Sequence, residues 1–304
     1  IALLKAAKCC AVLKSEQRIL FLSFSRAAVR QVTDRMRTTL SAAQGATLEV
    51  RTFHSFFLDL IRSHGRLLTG EQARFITPER EAILRADFEG DDDAWKGEKH
   101  RLAAEESLYV FDTLAPALAD LLERSADLRK LYSTRYPVIV VDEFQDTSTD
   151  QWRVVQALSA SSTIVCLADP DQRIFDHLDG VDEHRLDEVK KVLAPETFDL
   201  SSDNHRSPAS GILEYANAVL RNTPTAAPPN VQSHTYRYTK PELATHFIVQ
   251  RTLATFSSQL GTRPTVAVLT RVNSFAGRIS EGLSREEELR GERLAPLDHI
   301  LYWD

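Results

Sequence analysis

Val138-Ile139-Val140-Val141-Asp142-Glu143-Phe144-Gln145-Asp146-Thr147 joins four uninterrupted β-forming residues to a turn carrying three acids. A run with no polar alternation is the habit of a strand buried on both faces, at the centre of a parallel sheet. Ligands of such sheets bind in the crevice beyond the carboxyl ends of the strands. Three carboxylates there cannot be core; they need water, a cation or a substrate to compensate them. An adjacent Asp-Glu pair suits nucleotide hydrolysis, with one carboxylate on Mg²⁺ and the other orienting or deprotonating a water.

Outward from this stretch, four more β-rich runs appear: Arg18–Phe24, Thr163–Ala168, Thr197–Leu200 and Thr265–Leu269. Helical patterns separate them. Val29, Val32, Met36 and Leu40 recur at spacings of three and four, as do Phe53, Phe56, Phe57, Leu60 and Ile61. Trp152, Val155 and Leu158 form a third such pattern, and Leu243, Phe247, Leu253, Phe256 and Leu260 a fourth. Strand-helix alternation predicts an α/β architecture around a parallel sheet.

A chain of 304 residues has room for about two domains. Between Gly70 and Arg135 no convincing strand occurs, and the stretch is too long for a loop, so 71–132 reads as an inserted helical subdomain. Thr223-Pro224-Thr225-Ala226-Ala227-Pro228-Pro229-Asn230 reads as a linker. The expected partition is 1–70 with 133–222 as one α/β domain, and 223–304 as linker and start of a second.

No apolar stretch is long enough for a membrane span. Cys9, Cys10 and Cys166 make no disulfide framework, which points to a reducing compartment, the cytoplasm. The lysines near the amino end interrupt any signal-sequence core. The first residue is Ile1 rather than Met, and the chain starts mid-pattern, so a fragment of something longer is expected. The net charge of −6 does not advertise a nucleic-acid binder, but residues 1–70 hold 11 Lys/Arg against 4 Asp/Glu. That basic segment could face phosphates, or could equally be an uneven solvated face.

Each predicted strand of the first domain ends in polar residues. Ser23, Ser25 and Arg26 follow the first; Asp142 to Asp146 follow the second. Asp169, Asp171 and Gln172 follow the third, and Asn204-His205-Arg206-Ser207 the fourth. In a parallel sheet these ends share one edge. Carboxylates, a glutamine and an arginine are the parts that phosphoryl transfer needs.

In this order the motifs resemble those of UvrD/Rep-type superfamily 1 DNA helicases. Leu22-Ser23-Phe24-Ser25-Arg26-Ala27-Ala28-Val29 and Thr52-Phe53-His54-Ser55 are similar to two early motifs. Asp142-Glu143-Phe144-Gln145-Asp146-Thr147 resembles the Walker B-type motif, with Gln151 downstream. Asp169-Pro170-Asp171-Gln172-Arg173-Ile174-Phe175 resembles the coupling motif, and Asn204-His205-Arg206-Ser207 the arginine motif. Val266-Ala267-Val268-Leu269-Thr270-Arg271-Val272-Asn273 looks like the opening strand of a second motor domain.

The resemblance implies a RecA-like P-loop NTPase-type sheet flanked by helices, with ATP and Mg²⁺ as cofactors. Asp142 would bind the metal and Glu143 would activate water. Gln172 would sense the γ-phosphate, and Arg206 would neutralise charge developing on it. Phe24, His54, Phe175 and His177 would lie along a single-stranded DNA track, with Arg26 and Arg51 adding phosphate contacts. Single-stranded DNA, or its junction with duplex, would be the partner. Phe53 is expected in the core.

The sequence also departs from the family pattern. No Gly-x-x-x-x-Gly-Lys-Ser/Thr phosphate loop occurs. Arg173 replaces the usual serine and Phe175 the usual tyrosine; His177 and Leu178 stand where a larger aromatic and an arginine are common. An isolated chain of this kind is expected to be nearly inactive in hydrolysis. Two other readings stay open: a non-catalytic module binding single strands or a remnant, and the motor part of a helicase-nuclease.

Overall fold

The computed structural model describes residues 8, 10, 13–173, 180–199, 211–223, 225–232, 235, 240–262 and 264–301. The chain divides into two compact units, at Ser202 and Asp203. The Pro-rich stretch from which a boundary was expected begins some twenty residues later, inside the second unit.

The first unit begins with β1 (Ile19–Ser23), α1 (Arg26–Thr39), the short α2 (Ala42–Ala46), β2 (Leu48–Thr52), α3 (Phe53–His64) and α4 (Arg66–Thr69). It continues with β3 (Arg74–Phe75), α5 (Pro78–Asp87), α6 (Asp92–Glu106), β4 (Leu108–Tyr109), α7 (Phe111–Arg124) and α8 (Ala126–Arg135). Then come β5 (Val138–Val141), α9 (Thr149–Ser159), β6 (Thr163–Cys166) and α10 (Arg185–Leu193). Four strands form one sheet in the order β2-β1-β5-β6, and every neighbouring pair is parallel. The architecture is therefore α/β with a central parallel sheet flanked by helices.

The apolar runs of β1 and β5 have a simple cause: both faces of the sheet are covered. Leu20, Leu22, Ile139 and Val141 point into a cluster with Phe53, Phe56 and Phe57 of α3, Leu114, Leu118 and Leu122 of α7, and Val155 of α9. Ile19, Phe21 and Val140 point the other way, onto Val32 and Met36 of α1 and Leu48 of β2. The first face is the larger core. Truncating a fully buried aromatic such as Phe56 to alanine removes its contacts there and costs about 3–5 kcal/mol.

Leu48–Thr52 was not among the predicted strands. Glu49 and Arg51 interrupt its apolar residues, the alternation of a strand at the margin of a sheet rather than at its centre. Thr197–Asp199 form no strand, and Leu200 lies outside the described residues. Residues 71–132, expected as an inserted subdomain, divide by packing. Ile76, Leu102 and Val110 make a small separate cluster, whereas α7 joins the main core through Leu114, Leu118, Leu121 and Leu122.

In the second unit, α11 (Ile212–Leu220), α12 (Pro241–Leu260) and α13 (Asn273–Leu283) precede an antiparallel hairpin of β7 (Glu287–Leu289) and β8 (Glu292–Leu294). Buried His246 reaches the Ala295 carbonyl at 2.9 Å, and Gln250 holds the Arg293 carbonyl and the Ala295 amide, tying the segment after β8 to α12. The strand expected over Thr265–Leu269 is absent: 264–270 adopt no regular element, and Leu269 is 93% exposed. A strand exists only when its backbone groups are paired, and among the described residues none pairs with it. No helix among the described residues is long and apolar enough to cross a membrane.

Candidate functional site

Because the sheet is parallel and in register, its carboxyl ends coincide. Leu22 aligns with Val141, Val141 with Cys166, and Ser23 with Thr52. Ser23-Phe24-Ser25, Thr52-Phe53-His54, Asp142-Glu143 and Leu167-Ala168-Asp169 therefore leave the sheet along one rim. The ladder extends one step past β5: the Asp142 amide donates to the Leu22 carbonyl at 2.9 Å, and the Leu167 amide to Val141 at 2.8 Å.

Glu143 then takes a left-handed conformation, φ 50° and ψ 43°. For a residue with a Cβ this costs about 1 kcal/mol or more. The turn it makes sends successive side chains in opposite directions. Phe144 drops into the core edge-on to Trp152, with ring centroids 5.6 Å apart, while the Glu143 carboxylate stays exposed at the rim.

Gln145 is 1% exposed and joins two strand ends. Its Nε2 donates to Glu143 Oε2 at 2.7 Å, and its Oε1 accepts the Asp169 amide at 3.1 Å. Asp169 in turn caps the 3₁₀ turn Pro170–Gln172. Its carboxylate accepts the Asp171 amide at 3.0 Å and Gln172 Nε2 at 2.6 Å. Glu143, Gln145, Asp169 and Gln172 thus form one continuous hydrogen-bonded relay.

Burial pushes the Asp142 carboxyl above the usual carboxylate range, and the neighbouring Glu143 charge adds to this; the Glu143 backbone amide opposes both. Beside it in the ladder, the Ser23 hydroxyl is buried without a hydrogen-bond partner. Two adjacent carboxylates and an orphaned hydroxyl are oxygen donors that suit Mg²⁺, which takes one or two protein carboxylates and shares the rest of its shell with phosphates and water. No cluster of three His, Cys, Asp or Glu that could hold a metal occurs among the described residues. A metal carried by a nucleotide does not require such a cage.

Two further side chains are structural, and the first gave no signal in the sequence. Arg185, 2% exposed, donates to the carbonyls of Thr147 and Gly180 and to Thr149 Oγ1, and pairs with Glu188. It fastens α10 to the segment after the acidic turn. Gln151, noted downstream of that turn, completes a capping box with Ser148 at the start of α9. A cavity of about 330 Å³ beside the relay is lined by Gln145, Pro170, Arg173 and Arg185 among others, which leaves unfilled space next to the 169–173 loop.

The residues expected on a DNA track separate. Phe24 is half-buried, its ring 5.1 Å from Phe53, and Phe53 is core. Arg26 is exposed at the first turn of α1, behind the Ser25 cap. His54 is exposed at the start of α3, 5.4 Å from the ring of Phe111, itself 37% exposed. Phe111 comes from the stretch read as an insert, so nothing local in the sequence paired it with His54. Arg51 is occupied internally, by Asp59, Glu49 and the Ser55 carbonyl. Arg206, Phe175 and His177 lie outside the described residues, as do Asn204, His205 and Ser207.

A family model described as the UvrD/REP helicase N-terminal domain matches residues 6–103 and 93–191. YjcD of Bacillus subtilis (strain 168) is 26% identical over 247 residues, covering 67% of this chain and 32% of that protein. The ATP-dependent DNA helicase Rep of Escherichia coli (strain K12) is 26% identical over 251 residues, 68% of this chain and 37% of Rep. RecBCD enzyme subunit RecB of Mycolicibacterium smegmatis is 43% identical over a shorter stretch of 67 residues, 21% of this chain and 6% of RecB. The chain thus spans about a third of the length of YjcD and Rep. With the family model matched over more than half of its residues, the chain belongs to the UvrD/Rep helicase family.

Proposed function

We propose that the chain is part of an ATP-dependent superfamily 1 helicase or translocase that moves along single-stranded DNA. In this reading 1–70 and 133–222 form the first motor domain, 71–132 an insert, and 223–304 the linker and start of the second. The observation that carries the proposal is the relay from Glu143 to Gln172. It links the residue that would act on water to the residue that would feel the γ-phosphate, across two different strand ends.

Asp142 would hold Mg²⁺ together with the nucleotide phosphates; when bound, the metal supplies charge neutralisation on the transferring phosphoryl group. Glu143 orients the attacking water and accepts its proton. Gln172 contacts the γ-phosphate, and Arg206, at the end of the arginine motif, balances the charge developing there. Phe24, Arg26, His54 and Phe111 contribute to a surface for single-stranded DNA, with Phe175 and His177 from the coupling motif. Aromatic faces stack on bases without sequence preference, which suits a motor that must pass every sequence.

The test is Glu143→Gln in the longest native chain that carries these residues. DNA-stimulated ATP hydrolysis should fall by about 10²–10⁴-fold, the usual worth of a general base. Stabilisation by Mg²⁺-nucleotide in a melting assay should persist. Unchanged turnover would overturn the reading. Salt-sensitive binding of single strands by a parent protein that hydrolyses no ATP would instead favour a binding module.

A further inference from the structure

We infer that Gln145 is the positioning residue that couples Glu143 to the 169–172 loop, so that the water-activating carboxylate is aimed according to what Gln172 touches. The inference rests on the roles given above to Glu143 and Gln172. It begins from the direction of the Gln145 amide. The Asp169 backbone N–H can only donate, so the amide oxygen must face it, at 3.1 Å. The NH₂ end is thereby committed to Glu143 Oε2, at 2.7 Å, with a longer contact to Asp146 Oδ2 at 3.5 Å. Neither a carboxylate nor an aliphatic side chain can serve both ends.

Burial sharpens the point. Gln145 is 1% exposed, so a lost partner at either end leaves a desolvated polar group. Glu143 is exposed on a left-handed turn, and a free glutamate there would sample many rotamers. The Gln145 amide selects one. On the far side, Asp169 is fixed to the same loop as Gln172, through the Asp171 amide and through Gln172 Nε2. A shift of Gln172 toward a phosphate pulls on Asp169. The Asp169 amide then draws on Gln145, and Gln145 on Glu143.

Gln145→Glu separates the two ends. It keeps the length and the oxygen facing the Asp169 amide but places an oxygen against the Glu143 carboxylate. In the longest native chain, kcat for ATP should fall at least tenfold near neutral pH, with KM for ATP within twofold. The melting shift produced by Mg²⁺-ADP should match that of the parent protein. Gln145→Met, uncharged and of similar volume, should give the same split between kcat and KM.

If both variants keep kcat per folded molecule within twofold, the coupling is wrong even if the fold is weakened. Glu143→Gln, run alongside, distinguishes the two failures. A dead Glu143→Gln with normal Gln145 variants overturns the coupling alone. A fully active Glu143→Gln overturns the reading of the site on which it rests.

Discussion

The Nε of Arg185 donates to the backbone carbonyl of Thr147 across 3.2 Å, in a place where both residues are almost wholly shielded from water. Its Nη2 donates to both Gly180 O and Thr149 Oγ1, and its Nη1 to Glu188. Its ion partner Glu188 is partly exposed, so water screens that pair and little stability is assigned to it. Arg185→Ala would leave the buried Thr147 carbonyl without this donor, whereas Gly180 O keeps the Thr149 amide, and should cost about 1–3 kcal/mol in chemical denaturation, the worth of one buried group left unsatisfied. Arg185→Lys should recover only part, because an ammonium cannot reproduce the planar fork. A loss below about 0.5 kcal/mol for the alanine variant would mean that the clamp is idle.

Asp142 offers a stability prediction of opposite sign. Its folded-state pKa lies above the ordinary carboxylate value, chiefly through burial and then through Glu143. The native state therefore holds its proton longer than the unfolded chain does. Stability falls as pH rises through the window just above the ordinary carboxylate range, and the cost persists to neutral pH. Asp142→Asn should raise the melting temperature at pH 7 and flatten that acid dependence, while removing stabilisation by Mg²⁺-nucleotide. A variant that melts lower at pH 7 would show that the carboxylate is compensated within the protein.

Much of the first unit was legible because its central strands are dry on both faces. Val138–Val141 could be bounded to the residue, since no polar side chain fits there. Leu48–Thr52 escaped notice because a marginal strand keeps Glu49 and Arg51 on it. Thr265–Leu269 shows the converse: its β-forming residues specify a strand only in the presence of a neighbour. At the site, Asp142 and Glu143 stood out because acids at the end of an apolar strand demand explanation. The roles of Gln145 and Arg185 did not, because their partners are backbone groups or residues brought close only by the fold. Composition carries no trace of such contacts.

The His54–Phe111 pair yields a pH prediction. His54 is exposed at its edge yet crowded by its neighbours, and desolvation lowers its pKa despite the opposing charge of Asp112. The ring is therefore mainly neutral at pH 7, and on the proposed DNA track it would meet a base as an aromatic face. His54→Phe should keep single-stranded DNA affinity near neutral pH, whereas His54→Ala or Phe111→Ala should lose about 1–3 kcal/mol, the worth of one stacked base. Fluorescence anisotropy at fixed salt reads this directly. If His54→Phe binds as poorly as His54→Ala, a hydrogen bond rather than stacking is the contact.

Arg26 and Arg51 look alike in sequence and differ in what already engages them. Arg51 is held by Asp59 and Glu49 and by the Ser55 carbonyl, so a phosphate would have to compete with two carboxylates. Arg26 stands exposed on the first turn of α1, next to the rim where Phe24 and His54 emerge. For single strands each phosphate contact adds about 0.7 to the slope of log affinity against log salt. Arg26→Ala should reduce that slope by about this amount and weaken binding evenly across sequences. Arg51→Ala should leave the slope unchanged and instead lower the melting temperature, through the carboxylates and carbonyl it releases. A reduced slope for Arg51→Ala with no loss of stability would reverse the assignment, making its ion pairs a resting state that DNA displaces.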